Sequence, residues 1–85
     1  MHLSPMTVTV LLFASYADAL GMSSLALELA PGATVSDVVD HVRALPGARR
    51  LPAQPLLAVN ERYARRDHVL APNDEVAIIP PVAGG

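Results

Sequence analysis

Thr34 to Leu45 limits the folds open to this chain more than any other stretch. Val35, Val38, Val39, Val42 and Leu45 recur at helical spacing and form one apolar stripe. Ser36, Asp37, Asp40, His41 and Arg43 fall on the opposite side. Thr34-Val35-Ser36-Asp37 has the form of a capping box, with a hydroxyl at the start and a carboxylate three residues on, where the helix dipole favours it. Leu45-Pro46-Gly47 ends the helix. Valine is a mediocre helix former, because its branched Cβ loses rotamer freedom against the preceding turn. A helix this rich in valine must be held by what it packs on, and the rest of the chain has to supply a sheet.

The candidate strands are present. Met6 to Phe13 is rich in Val, Thr and Leu; Val8, Val10 and Leu12 fall on one face, and Thr7, Thr9, Leu11 and Phe13 on the other. Ala14 to Leu20 is compatible with a short helix, closed by Gly21 as a left-handed cap. Ser24 to Ala30 alternates, with Leu25, Leu27 and Leu29 on one side, and reads as a half-buried strand before the Pro31-Gly32 turn. Ala48 to Pro55 reads as a loop, Leu56 to Val59 as a short strand, Asn60-Glu61 as the start of a turn, and Tyr63 to Arg66 as an edge segment. Turn chemistry runs through Asp67-His68 and on to Ala71-Pro72-Asn73-Asp74, where asparagine tolerates the left-handed region. Glu75 to Ile79 is the last strand; Val76 and Ile78 share one face, Ala77 and Ile79 the other. The expectation is an α+β domain: a small mixed sheet with one main amphipathic helix on one face.

Composition narrows the function. With 85 residues, 52% of them hydrophobic, the chain has room for one small domain and one core. The apolar runs are too short and broken for a membrane helix, and no basic segment precedes an apolar one as in a signal peptide, so a cytoplasmic protein is expected. The net charge of −2 without a basic block leaves nucleic acid no electrostatic footprint. The absence of cysteine excludes a disulfide scaffold, thiolate metal ligands and an internal cysteine nucleophile. All six basic residues are arginine, so the side chains offer no amine for isopeptide-linked chains of this protein. Asp37 and His41 stand one helical turn apart, as metal ligands do, but no third ligand accompanies them; a solvated face is the better reading and no metal site is expected. Asp67-His68 lacks a nucleophile and reads as a turn.

The carboxyl terminus is the unusual part. The last strand runs into Pro80-Pro81, then Val82-Ala83, then Gly84-Gly85. Proline stops the strand and favours an extended polyproline direction. Glycine lacks Cβ and passes through channels too narrow for other residues. The segment from Pro81 onward would reach about 16 Å if extended. The reactive group at its tip is the α-carboxylate of Gly85. The expected organisation is a loose leader over residues 1–5, with Met6 a second candidate start, a domain over 6–80 and an extended tail over 81–85.

These pieces carry a family resemblance. Val10-Leu11-Leu12-Phe13-Ala14, Thr34-Val35, Leu57-Ala58-Val59-Asn60, Asp67-His68 with Leu70, Asp74-Glu75-Val76-Ala77 and the closing Pro80-Pro81-Val82-Ala83-Gly84-Gly85 occur in the order found in the MoaD-type sulfur carriers, the small subunits of molybdopterin synthase. The chain resembles them from Met6 to Gly85. The resemblance implies a β-grasp, ubiquitin-like fold. It implies that an adenylating activating enzyme (MoeB-type) uses ATP on the Gly85 carboxylate, that sulfur from a persulfide converts it to a thiocarboxylate, and that the large synthase subunit (MoaE-type) receives the tail, so that sulfur passes to a cyclic pyranopterin precursor. The chain would be non-catalytic alone, would bind no cofactor, and would work in a hetero-oligomer.

In a β-grasp sheet the first and last strands are neighbours. If Val8, Val10, Val76 and Ile78 face the helix, then Phe13, Ile79, Leu11 and Ala77 face outward as an apolar patch at the root of the tail, with Tyr63 beside it; such patches mark partner surfaces. Two further functions use the same tail: sulfur carriage for thiamine or cysteine synthesis, and ubiquitin-like attachment to protein targets.

Overall fold

The computed structural model of the chain describes residues 5–51 and 55–80. The expectations for Pro81, Val82, Ala83, Gly84 and Gly85 therefore lie outside the described residues, as do those for residues 1–4 of the leader. Strand β1 (Met6–Leu12) leads through helix α1 (Ala14–Leu20) to β2 (Ser24–Leu29). Helix α2 (Val35–Arg43) follows, then a 3-10 helix (Ala48–Arg50), β3 (Leu56–Val59), β4 (Arg62–Tyr63) and β5 (Glu75–Ile79). The strands form one sheet in the order β2-β1-β5-β3-β4. The first and last strands pair in parallel at its centre, and every other pair is antiparallel.

The alternation of β1 becomes burial. Met6, Val8, Val10 and Leu12 are buried while Thr7 and Thr9 are exposed. In β5 Val76 and Ile78 are fully shielded, and they share the core with Val8, Val10 and the valines of α2. Val35, Val38, Val39 and Val42 are all buried. Burying one such side chain stabilises by about 1.5–3 kcal/mol. The helix-propensity deficit of valine against alanine is under about 1 kcal/mol. Packing therefore decides that this stretch is helical.

The start of α2 is held by a loop from much later in the chain. Asp37 Oδ2 accepts from the Thr34 amide at 2.8 Å, closing the carboxylate half of the expected capping box. The first two helical amides go elsewhere: Val35 N–H donates to the His68 carbonyl (3.0 Å) and Ser36 N–H to that of Arg66 (2.8 Å). A Thr34–Val69 bridge and the bond from Leu70 N–H to the Ala33 carbonyl fasten the same segment. The Asp67-His68 turn thus serves α2 through its backbone carbonyls, which satisfy helix amides that would otherwise lack partners.

Two expectations are corrected. The stretch read as a loop over Ala48 to Pro55 contains the 3-10 helix, and Ala48 and Leu51 are buried in the core. Its apolar content is too sparse to show a period, yet it closes the core beside α1. Gly47 permits the approach: its φ is +89°, and a Cβ there would collide with the Ala19 carbonyl oxygen. The edge segment read over Tyr63 to Arg66 is instead Arg62–Tyr63. Asn60 and Glu61 both have positive φ and form a two-residue hairpin turn, which sets Val59 opposite Arg62. One more ladder bond runs from Ala64 N–H to the Leu57 carbonyl, and the chain then leaves the sheet, its Arg66 carbonyl committed to α2.

Candidate functional site: the outer sheet face at the root of the tail

The face of the sheet turned away from α2 changes character along its length. Toward the start of β1 it carries Thr7 and Thr9, opposite Glu28 and Ala26 of β2. Toward the end of β1 and β5 it becomes apolar. Leu11 lies opposite Ala77, Ala77 opposite Ala58, Ala58 opposite Tyr63, and Ile79 opposite Leu56. Partners in register share a face, so these side chains form one surface. Ala58 is only 6% exposed yet lies outside the helix-side core, because its outer-face neighbours cover it.

Phe13, Leu11, Ala77, Ile79 and Tyr63 line a single groove of about 320 Å³ together with Ala58, Glu61 and Glu75. Phe13 is 45% exposed and Tyr63 80%, a large exposed apolar surface for a sheet face that no other described element covers. Pro80 lines an adjoining hollow with Phe13, Ala14 and Ile79. All five residues expected at a partner surface are thus brought together, at the point where β5 gives way to the tail. Leu56, Ala58, Glu61 and Glu75 were not anticipated. The alternation of β3 places Leu56 and Ala58 on one face, but only the β3–β5 register shows that it is this one.

The backbone beneath the groove is locked by polar contacts. Asn60 donates from Nδ2 to Asp74 Oδ1 (2.9 Å), and its Oδ1 accepts from the Glu75 amide (3.0 Å). The Asn60 amide donates in turn to the Glu75 carbonyl (2.8 Å). Asp74 Oδ2 accepts from the Ala71 amide (2.8 Å). The Ala71 amide, then Asn60, hold the Asp74 carboxyl below its ordinary value; burial opposes them and the His68 charge adds a little. At the other end of the groove Ala14 has φ +48°, where the chain leaves the extended Phe13 and enters α1. Among the described residues no cluster of three side chains suited to a metal forms, and Asp37 and His41 both lie exposed on α2.

A central parallel pair of first and last strands, an apolar groove at their ends and a Gly-Gly terminus beyond agree with the outcome of comparison with known proteins. The model of the ThiS family matches residues 10–85. This chain belongs to the ThiS family. Its fold is the ubiquitin-like β-grasp, with the mixed five-stranded sheet described above. It is 34% identical over 83 residues to a molybdopterin synthase sulfur carrier subunit from Arabidopsis thaliana, covering 96% of this chain and 86% of that one. The crystal structure of SAMP1 from Haloferax volcanii superposes with a TM-score of 0.81 at 28% identity, over 93% of this chain and 99% of that one. A chain from the complex of subunits 1 and 2 of the molybdopterin-converting factor of Helicobacter pylori shares the fold, with a TM-score of 0.70 at 17% identity over 94% and 100%. In ThiS-family terms, Asn60 and the Asp74-Glu75-Val76 run now have a physical role: they tie the hairpin to the start of β5 and so set the strand that leads to the tail.

No helix among the described residues is long and apolar enough to cross a membrane.

Proposed function

We propose that this chain is the sulfur carrier subunit of molybdopterin synthase, with the Gly85 carboxylate as the atom group that carries sulfur. What supports the reading above all is the placement of β5. The strand sits at the centre of the sheet, flanked by β1 and β3, and delivers Pro80 to the edge of an apolar groove. Five residues then remain to Gly85. A domain so arranged docks by its groove and offers its terminus.

The chemistry follows from the carboxylate. It is a poor electrophile until one oxygen becomes part of a good leaving group. Attack of the carboxylate on the α-phosphate of ATP, within an adenylating activating enzyme, releases pyrophosphate and leaves an acyl-adenylate. A persulfide sulfur then displaces AMP, and cleavage of the resulting S–S bond by a thiol leaves the thiocarboxylate. Dividing the transfer into covalent steps lowers each barrier. The loaded tail next enters the large synthase subunit, where its sulfur passes to a cyclic pyranopterin precursor. Both partners must reach the same atom. Val82-Ala83-Gly84-Gly85 is correspondingly small in side chain, and Pro80-Pro81 separates it from the sheet. The need for ATP is consistent with the cytoplasmic location expected from the sequence.

The test is incubation with the activating enzyme, ATP and a persulfide source, followed by mass spectrometry. The C-terminal peptide is expected to exchange one oxygen for sulfur. If it never changes mass, the carrier reading fails. A second reading, attachment to protein targets, is favoured by the likeness to SAMP1, a small archaeal modifier protein. Conjugates at target lysines, with no sulfur on the terminus, would select it.

A further inference from the structure

The groove at the root of the tail has an acidic end. Glu61 and Glu75 line it beside Leu11, Phe13, Tyr63 and Ala77, and among the described residues no arginine or histidine does. Both glutamates are exposed, and the ion pair between Arg65 and Asp67 engages neither. Asn60 holds them in place: it precedes Glu61 in the hairpin turn and exchanges two hydrogen bonds with the backbone of Glu75. Glu61 also has φ +71°, at the second central position of that turn, where glycine is the unstrained choice. A non-glycine residue held there is strained. The chain keeps that strain and has a carboxylate at the rim of the groove.

Across Tyr63 the surface changes sign. Arg65 and Arg66 line a separate shallow hollow there with Leu56 and Tyr63, at the β4 edge of the sheet. The groove itself is therefore acidic, and the arginines stand beyond Tyr63 at the sheet edge.

We propose that the groove receives an apolar side chain from a protein partner, and that an arginine or lysine beside that side chain seats against Glu61 and Glu75. The inference rests on the carrier reading above and deepens it by stating the chemistry of the docking partner. The groove lies at the small end of the range for ligand pockets, about 300–1,000 Å³, and is open along the sheet face, which suits an inserted side chain better than an enclosed metabolite. Docking an apolar surface over two carboxylates strips them of water, and a charge left unpaired in an interface costs several kcal/mol. A partner cation offsets that cost, and a neutral or acidic surface does not, so the pair also rejects wrong partners and sets orientation.

The experiment measures binding of the full chain to the large subunit of molybdopterin synthase from the same organism, by calorimetry over a range of salt concentrations. The Glu61→Gln/Glu75→Gln double variant changes only exposed groups, so its melting temperature is expected to match that of the parent. Its affinity is expected to fall about tenfold or more, with a shallower salt dependence. Glu61→Gly is expected to raise the melting temperature while weakening binding; a purely structural role for Glu61 would not move the two in opposite directions. Equal affinity and equal salt slope for parent and double variant overturn the inference and leave the carrier reading standing. If the parent chain itself does not bind the large subunit, the carrier reading fails and the inference falls with it.

Discussion

Tyr16 carries an untapped gain in stability. Its ring is packed in the core, 3% exposed, and its hydroxyl has no hydrogen-bond partner among the described residues. Burial accordingly pushes the phenol pKa up. A buried hydroxyl without a partner costs about 1–3 kcal/mol in desolvation. Tyr16→Phe is therefore expected to leave stability unchanged or raise it by up to about 1 kcal/mol, read from urea denaturation midpoints. Asp74 behaves in the opposite way. Its folded pKa lies below the unfolded value, so the unfolded chain binds the proton more tightly. Its contribution is present above the ordinary carboxylate value and is lost as pH falls through the depressed one. Asp74→Asn should be less stable near neutral pH by about 1 kcal/mol, and its midpoint should fall less steeply on acidification than that of the parent chain.

Between elements, the junction of α1 with the start of the 3-10 helix depends on one missing methyl group. Gly47 combines a left-handed φ with contact against the Ala19 backbone, so an added Cβ meets both a conformational and a steric obstacle. Gly47→Ala is expected to destabilise by about 2 kcal/mol or more, measured by thermal or chemical denaturation. Gly21, which caps α1 at φ +70°, has open space around its Cβ position, so Gly21→Ala is expected to cost only the conformational part, about 1 kcal/mol. The contrast tests whether the close approach, rather than the turn alone, matters at Gly47. The main helix was legible in the sequence because a single apolar stripe and an end signal agreed. The 3-10 helix was not, because Ala48 and Leu51 are too few to make a period. The short β4 was read as Tyr63 to Arg66 rather than Arg62–Tyr63 for a different reason: the hairpin turn, and not the composition of that stretch, sets its register.

At the scale of the whole molecule, the sheet separates two tasks by face. The helix side holds the core, and the outer side at the ends of β1 and β5 is left apolar and open. Replacing an exposed groove residue should therefore affect association and spare the fold. Phe13→Ser is expected to weaken binding to the large synthase subunit about tenfold or more, equivalent to about 1.4 kcal/mol, with the melting temperature little changed. A large fall in melting temperature would instead place Phe13 among the residues that stabilise the domain.

Strands β1, β2 and β5, the main helix and the outward set of Leu11, Phe13, Ala77 and Ile79 follow from local periodicity, because the alternation of side chains along a strand is a property of the backbone that neighbours cannot alter. Which outward faces meet is another matter. The parallel pairing of β1 with β5 and the antiparallel pairing of β3 with β5 bring Ala58, Glu61 and Glu75 to the same groove and set Leu56 beside Ile79 on the same face, although long stretches of chain separate some of them. Those pairings are chosen by the closure of one valine-rich core under α2, and the amides at the start of that helix by the loop at Arg66 and His68. Burial acts on the whole chain at once, so it decided what no window of neighbouring residues contained.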